Sequence, residues 1–214
     1  MVARMLAAYH AYPEKERIGL IAPEIKDRNT TSKTRYLVPK GKFWFQRMTL
    51  DEPCNDQVLS VITSGSLIKA GIFNDTGLMP DHFFIDYIDH AFCLQMKTCG
   101  YNILLVKEAI LGHRLGDKTE YNIAGAKVTV SHHPAARRYY IFRNRMWIWK
   151  RYAAIFPNFI IHDVLAAGFD VLRITLCEKQ KWQNFHAIMK GIYAGLCREP
   201  AHKMRKKTQT GKIS

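Results

Sequence analysis

The 214-residue sequence contains no C-x-x-C pair, and its five cysteines (Cys54, Cys93, Cys99, Cys177 and Cys197) are an odd number. That excludes a zinc ribbon and a disulfide-stapled scaffold, and it fits a reducing compartment. No apolar run approaches the roughly 18 to 20 uninterrupted residues of a spanning helix. The opening MVARMLAAYHAYPEKER also lacks the apolar stretch and small-residue cleavage site of a signal peptide. A protein that is soluble, or that lies on a membrane without crossing it, is expected. No glycine-rich phosphate loop of the Walker or dinucleotide type occurs. Acids are scarce in one region only. Residues 1–120 carry 15 Lys/Arg against 14 Asp/Glu, net +1, whereas residues 121–214 carry 17 against 4, net +13. Nearly the whole charge of +14 therefore sits in the C-terminal part. Such an imbalance points to a polyanion: nucleic acid, an anionic membrane surface or a diphosphate-bearing small molecule.

With 48% hydrophobic and 23% charged residues, the chain can bury a core and is not disordered by composition. Residues 2–12 are alanine-rich with apolar positions on one helical face, and Pro13 ends that helix. RIGLIAP (17–23) reads as a buried strand followed by a loop over 24–32. QVLSVITSGSLI (57–68) is a β-branched run broken at Ser64, Gly65 and Ser66, where the glycine makes a bulge or lets backbone approach a ligand. In FFIDYIDHAFCLQMKTCGY (83–101), Asp89, Phe92, Cys93 and Met96 have helical spacing, and Gly100 stands where a left-handed C-terminal residue is wanted. Asp86 and Asp89 fall at that helix start, where carboxylates also suit capping and the helix dipole.

NILLV (102–106) reads as another strand, leading to the polar cluster GHRLGD (112–117). Residues 121–162 then hold seven Lys/Arg and no acid, with aromatics interleaved in RRYYIFRNRMWIWKRY. Two amphipathic helices close the chain. In the first, Ile161, Val164, Leu165, Gly168, Leu172 and Leu176 share a face opposite Asp163, Asp170 and Arg173; in the second, Trp182, Phe185, Met189, Ile192, Tyr193 and Leu196 line up against Lys181, Asn184 and Lys190. These faces suit helix packing or a membrane surface. The basic tail 201–214 is expected to be disordered.

RIGLIAPEIKD, VITSGSLIKAGIF, FFIDYIDHAFCLQMKTCGY, ILGHRLGD and RRYYIFRNR follow one another between residues 17 and 145. Their order and spacing resemble the acceptor side of family 2 inverting glycosyltransferases of the GT-A fold, in the bacterial rhamnosyltransferase branch. The resemblance implies an α/β fold: the C-terminal portion of a Rossmann-like GT-A domain with a mixed sheet (1–135), then a basic, aromatic segment with amphipathic helices (136–200) and the tail. It implies Asp89 as catalytic base, taking the proton of an acceptor hydroxyl as that oxygen attacks the anomeric carbon. Thr63, Ser64, Gly65, Ser66 and Asp86 would line the acceptor site. His113 would contact Mg²⁺ or Mn²⁺, and Arg137, Arg138, Tyr140, Arg143 and Asn144 would lie near the diphosphate, where guanidinium forks suit phosphate oxygens. Ile88 before Asp89 fits the rhamnosyltransferase branch; Ala91 and Gln95 replace an acid and an arginine usual in the family.

The family's Asp-x-Asp motif is absent: Asp86 and Asp89 are separated by two residues, and Asp51, Asp56, Asp75 and Asp81 are isolated. The nucleotide-binding half is expected to be missing, leaving a broken sheet edge and a chain inactive alone unless a separate N-terminal half completes it. The implied partners are a nucleotide-sugar donor such as dTDP-rhamnose, a lipid-linked saccharide acceptor for O-antigen or a related surface polysaccharide, and an anionic membrane surface, on the cytoplasmic side. A non-catalytic remnant acting as partner of an intact transferase is the alternative. A basic nucleic-acid module leaves the five ordered segments without a reason to occur together, and no nucleic acid is expected as partner.

Overall fold

The computed structural model describes residues 1–27, 34–51, 57–113, 118–123, 126–131, 133–178 and 180–198; of 118–131 only the backbone is described. The tail 201–214 and residues 114–117 of the GHRLGD cluster lie outside the described residues. Strand β1 (Ile18–Asp27) is buried almost throughout, as a strand covered on both faces must be. It pairs in parallel with β5 (Asn102–His113) and antiparallel with the two-residue β4 (Leu67–Ile68), in the order β4-β1-β5. The architecture is thus mixed α/β with a mixed sheet. Along β1 and β5, side chains alternate between two cores. Ile18, Ile21, Leu104 and Val106 meet Met5 of helix α1 (Val2–Ala11). Leu20, Ala22, Ile103 and Leu105 meet Phe92, Cys93 and Met96 of α3 (Ile88–Thr98). No described strand pairs with the outer side of β5.

The β1 strand runs four residues beyond Pro23, into the segment expected to be a loop. Proline has no N–H for the ladder, and the pairing steps from Pro23↔Val106 to Glu24↔Ile110, so the proline sits at an irregularity and the strand resumes. The 57–66 segment is not a regular strand, although Val58, Leu59 and Val61 are buried. Helix α3 ends as its sequence predicts. Gly100 has φ of +86°, its N–H donates to Lys97 O (3.0 Å), and Tyr101 N–H donates to Met96 O (3.3 Å).

Two antiparallel hairpins, β2–β3 (Tyr36–Lys40 and Trp44–Met48) and β6–β7 (Lys118–Ile123 and Ala126–Ser131), form separate two-stranded sheets. Three long helices follow: α4 (Ala135–Tyr152), α5 (Pro157–Cys177) and α6 (Lys181–Cys197). Leu37, Leu59, Phe83, Leu94, Ile148 and Phe159 form the core joining the first hairpin, α3, α4 and α5. The α6 helix lies on α4 by way of Gly191 and Gly195. A Cβ at Gly191 would stand 2.4 Å from Tyr139 O, and one at Gly195 2.6 Å from Arg143 O, so backbone meets backbone there. Among the described residues, no helix is long and apolar enough to cross a membrane.

Candidate active site

Because α3 returns through a short turn into β5, it runs antiparallel to that strand, and its first turn points toward the carboxyl ends of the parallel strands, the end of an open α/β sheet where ligands bind. Just before it runs a loop of unusual backbone. Phe84, Asp86 and Tyr87 have φ of +64°, +59° and +64°, a region that non-glycine residues occupy only at a cost.

The loop is held from α4 and α5. Asn144, fully buried, donates through Nδ2 to the carbonyls of Phe83 (3.1 Å), Ile85 (2.8 Å) and Asp86 (3.0 Å). Arg143 Nη2 donates to His82 O (3.2 Å) and Phe83 O (3.0 Å), with its guanidinium 4.7 Å from the Tyr140 ring and 4.2 Å from the Trp147 ring. Arg137 forms a bidentate pair with Asp86, Nε to Oδ2 at 2.9 Å and Nη2 to Oδ1 at 2.8 Å. Tyr87 donates to Asp163 Oδ1 (2.6 Å) and accepts from Arg145 Nε; Arg145 also donates to Asp170 Oδ2 (2.8 Å), and Trp149 Nε1 donates to Asp163 Oδ2 (2.7 Å). Burial and the Asp163 charge push the Tyr87 phenol well above its ordinary pKa, so it stays a donor.

Asp89 follows in the first turn of α3, half-buried, and its Oδ1 accepts the hydroxyl proton of Thr63. Next to this pair His90 Nδ1 and Ser60 Oγ are 2.8 Å apart, and Cys93 Sγ lies 3.8 Å from Val61 O. One face of α3 therefore fixes the 60–63 segment. Burial keeps His90 neutral by lowering its pKa, and it pushes the Cys93 thiol up to about 12, which removes that cysteine as a nucleophile. Neither Asp86 nor Asp89 caps α3: its N-cap is Tyr87, with no side-chain hydrogen bond. The expectation that capping accompanies the other role of these acids is corrected, because Thr63 and Arg137 hold the two carboxylates.

After Thr63 the chain turns, with Ser66 N–H donating to Thr63 O (3.0 Å) and Gly65 at φ +71°. A Cβ on Gly65 would meet Leu111 Cδ2 at 2.8 Å. The turn thus rests on the end of β5, and His113 is one strand repeat, about 7 Å, farther along the same face. His113 pairs in register with Asp27, both at the carboxyl ends of their strands. Its Nδ1 is buried without a hydrogen-bond partner, which fits a single metal contact. Among the described residues no group of three His, Cys, Asp or Glu side chains comes together, so a complete set of ligands is not assembled there.

Two clefts flank His90. One, of about 190 Å³, is lined by Tyr36, Arg47, Ser60, His90, Phe159 and His162 among others; a second, of about 220 Å³, by Asp86, Tyr87, His133, Arg138, Arg145 and Arg173 among others. The structure thus brings Asp89 together with Thr63, and Asp86 with Arg137 and Asn144, while Arg143 reaches the same loop at His82 and Phe83. Arg138 turns inward, only 2% exposed, and pairs with Glu178, while Tyr140 packs on Phe84 with ring centroids 5.0 Å apart. Sequence reasoning did not single out Ser60, Tyr87, His90 or Arg145. Seven cations without one acid over 121–162 was the available signal for the Arg145 network, since a buried guanidinium needs a counter-ion from elsewhere in the chain.

Over 90 residues, 42% of this chain and 29% of the other, the sequence is 30% identical to the dTDP-rhamnosyl transferase RfbF of Shigella flexneri. This likeness supports a relationship to glycosyltransferases, and the chain spans less than a third of that relative's length. No family model matches the chain, and no solved structure matches it.

Proposed function

We propose that the chain is the acceptor-side part of an inverting sugar transferase of the GT-A type, moving rhamnose from a dTDP-sugar to a saccharide acceptor. The observation that carries this reading is the hydrogen bond from Thr63 to Asp89, beside a strained loop clamped by α4. Thr63 occupies one carboxylate oxygen of Asp89 and fixes the rotamer; the other oxygen is the base. It takes the proton of the acceptor hydroxyl as that oxygen bonds to the anomeric carbon and the bond from that carbon to the nucleotide diphosphate breaks with both its electrons. Ser64 and Gly65 would present backbone and hydroxyl groups to the acceptor, while Ser66, whose Oγ is buried and whose N–H donates to Thr63 O, holds the turn. Asp86 acts through the loop, Arg143, Tyr140 and Asn144 keep that loop in place, and Arg138 ties α4 to Glu178. Arg137, whose side chain remains 38% exposed while paired with Asp86, reaches solvent for a phosphate. His113 would give one imidazole to a Mg²⁺ or Mn²⁺ ion, which when bound offsets negative charge on the leaving diphosphate. Donor-side groups must come from elsewhere, because this sequence has no Asp-x-Asp.

The test is sugar transfer by the chain complemented with the nucleotide-binding part of an intact transferase of this type. Asp89→Asn should lower turnover by about a hundred- to ten-thousand-fold, the usual contribution of a positioned base, with the circular dichroism spectrum unchanged. Turnover equal to that of the unsubstituted chain would refute the assignment of Asp89.

A further inference from the structure

The α5 helix is inverted relative to the usual rule for a surface helix. Its apolar stripe, Leu165, Phe169, Leu172 and Leu176 at i, i+4, i+7 and i+11, faces outward, each more than half exposed, with Val164 beside it. The acids opposite face inward: Asp163 receives Tyr87 and Trp149, and Asp170 receives Arg145 and Arg173 at 2.8 and 2.9 Å. The α6 helix shows a similar outward stripe with Trp182 (86% exposed), Met189, Tyr193 (70%) and Leu196, at i, i+7, i+11 and i+14.

Charge identifies what would cover these stripes. Of the four acids in residues 121–214, Asp163, Asp170 and Glu178 are turned onto arginines of α4 and α5, and Glu199 lies outside the described residues. The outer surface of α4–α6 therefore shows no acid among the described residues, while Lys181, Lys190 and Arg198 on or next to α6 are exposed. The sequence that follows α6 adds Lys203, Arg205, Lys206, Lys207 and Lys212. A second copy of the chain would bring the same positive charge against itself. An anionic lipid surface supplies the opposite charge, and apolar stripes with exposed tryptophan, tyrosine and flanking lysines have the composition of a helix lying in a bilayer interface. We infer that α5 and α6 dock on an anionic membrane surface through these two stripes. The inference does not rest on the transferase reading, since binding is measured without turnover.

The experiment is co-sedimentation of the full chain with vesicles of phosphatidylcholine alone, or with about a third phosphatidylglycerol. With about 1 kcal/mol per cation near the surface, three exposed cations predict binding to the anionic vesicles tighter by at least about tenfold, weakened by salt. Tryptophan emission should shift to the blue on binding, and Trp182→Phe should remove most of that shift. Leu165→Ser with Leu172→Ser should weaken binding to anionic vesicles by about tenfold or more, and Lys181→Gln with Lys190→Gln should do so for anionic vesicles alone. These side chains are exposed, so the helix content should not change. Equal binding to both vesicle types, or no binding, would overturn the inference. So would a sedimentation-velocity dimer that Leu165→Ser with Leu172→Ser dissociates, because the stripes would then be covered by a second copy.

Discussion

Removing the Asn144 side chain should release the loop that precedes Asp89. In Asn144→Ala the two N–H bonds of the amide vanish, and the carbonyls of Phe83, Ile85 and Asp86 share that loss, the first buried and the other two partly so. Each net hydrogen bond contributes about 1 kcal/mol, and a buried carbonyl left bare costs about 1 kcal/mol more, which together give about 3 kcal/mol. The loop has an escape. Phe84, Asp86 and Tyr87 each hold a positive φ that costs on the order of 1 kcal/mol, and unwinding the segment recovers that strain. Unwinding also draws the buried Phe83 ring out of its contacts with Leu37, Leu94 and Ile148, which opposes it. The expected result is a global loss of about 2 to 3 kcal/mol in urea unfolding. Amide hydrogen exchange should speed up over residues 83–89 by more than the global change explains. Exposed Tyr193→Ala is the control and should stay within about 0.5 kcal/mol. An unchanged urea midpoint with unchanged exchange over 83–89 would show that Asn144 does not hold the loop.

Two glycines on neighbouring helices should respond oppositely. Gly191→Ala forces a Cβ into Tyr139 O and should lower stability by about 1 to 3 kcal/mol, whereas Gly168→Ala on α5, with open space around it, should raise stability by about 0.4 to 1 kcal/mol; thermal unfolding monitored at the helix band reads both. If Gly191→Ala is neutral, the close crossing of α4 and α6 is refuted. Acid should destabilise the fold through His90, His133 and His162, whose pKa values lie below the ordinary 6.5, first of all because of burial, and for His133 and His162 also because of nearby arginines. The sign follows from proton uptake: below about pH 6.5 the unfolded chain binds protons that the folded histidines refuse, so stability is full above that pH and falls as the pH drops through it. A urea midpoint that rises between pH 7 and pH 5.5 would contradict this.

The elements written in the local pattern were legible. An apolar run with no polar interruption gave β1, helical spacing ending on Gly100 gave α3, and Pro13 marked the end of α1. The continuation of β1 past Pro23 was not, because the partner strand absorbs the proline in an irregularity that lies some eighty residues away in sequence. The contact of Thr63 with Asp89 was out of reach for the same reason: the two residues were each singled out, but only the packing of the 60–63 segment on α3 joins them. The close crossing of α4 and α6 did have a local sign, Gly191-x-x-x-Gly195 in a helical run, a spacing that lets backbones approach. The direction in which α5 faces had none within its own sequence. Periodicity gives two faces, and only the arginines of α4 decide which face turns inward.

That decision is unfavourable for a helix meeting only water. Buried ion pairs seldom stabilise more than well-packed apolar residues would, because both charges give up their hydration. Turning α5 about its axis would bury Leu165, Phe169, Leu172 and Leu176, now about half exposed, for a gain on the order of 4 kcal/mol. The arrangement adopted instead places Asp163 where it receives Tyr87, which stands at the N-cap position of α3 two residues before Asp89, and places the apolar stripe outside. Both halves of the inversion thus have a use only if each face meets something: the inner one a loop whose backbone must be held against its own strain, the outer one a surface less polar than water and opposite in charge to the lysines of α6. A sequence with Asp163 and Asp170 replaced by leucines, and with Leu165, Phe169, Leu172 and Leu176 replaced by polar residues, would restore the amphipathic rule and lose the Asp163 tether of Tyr87, which is why the inward acids tie the shape of the loop to the side of the protein that α5 presents.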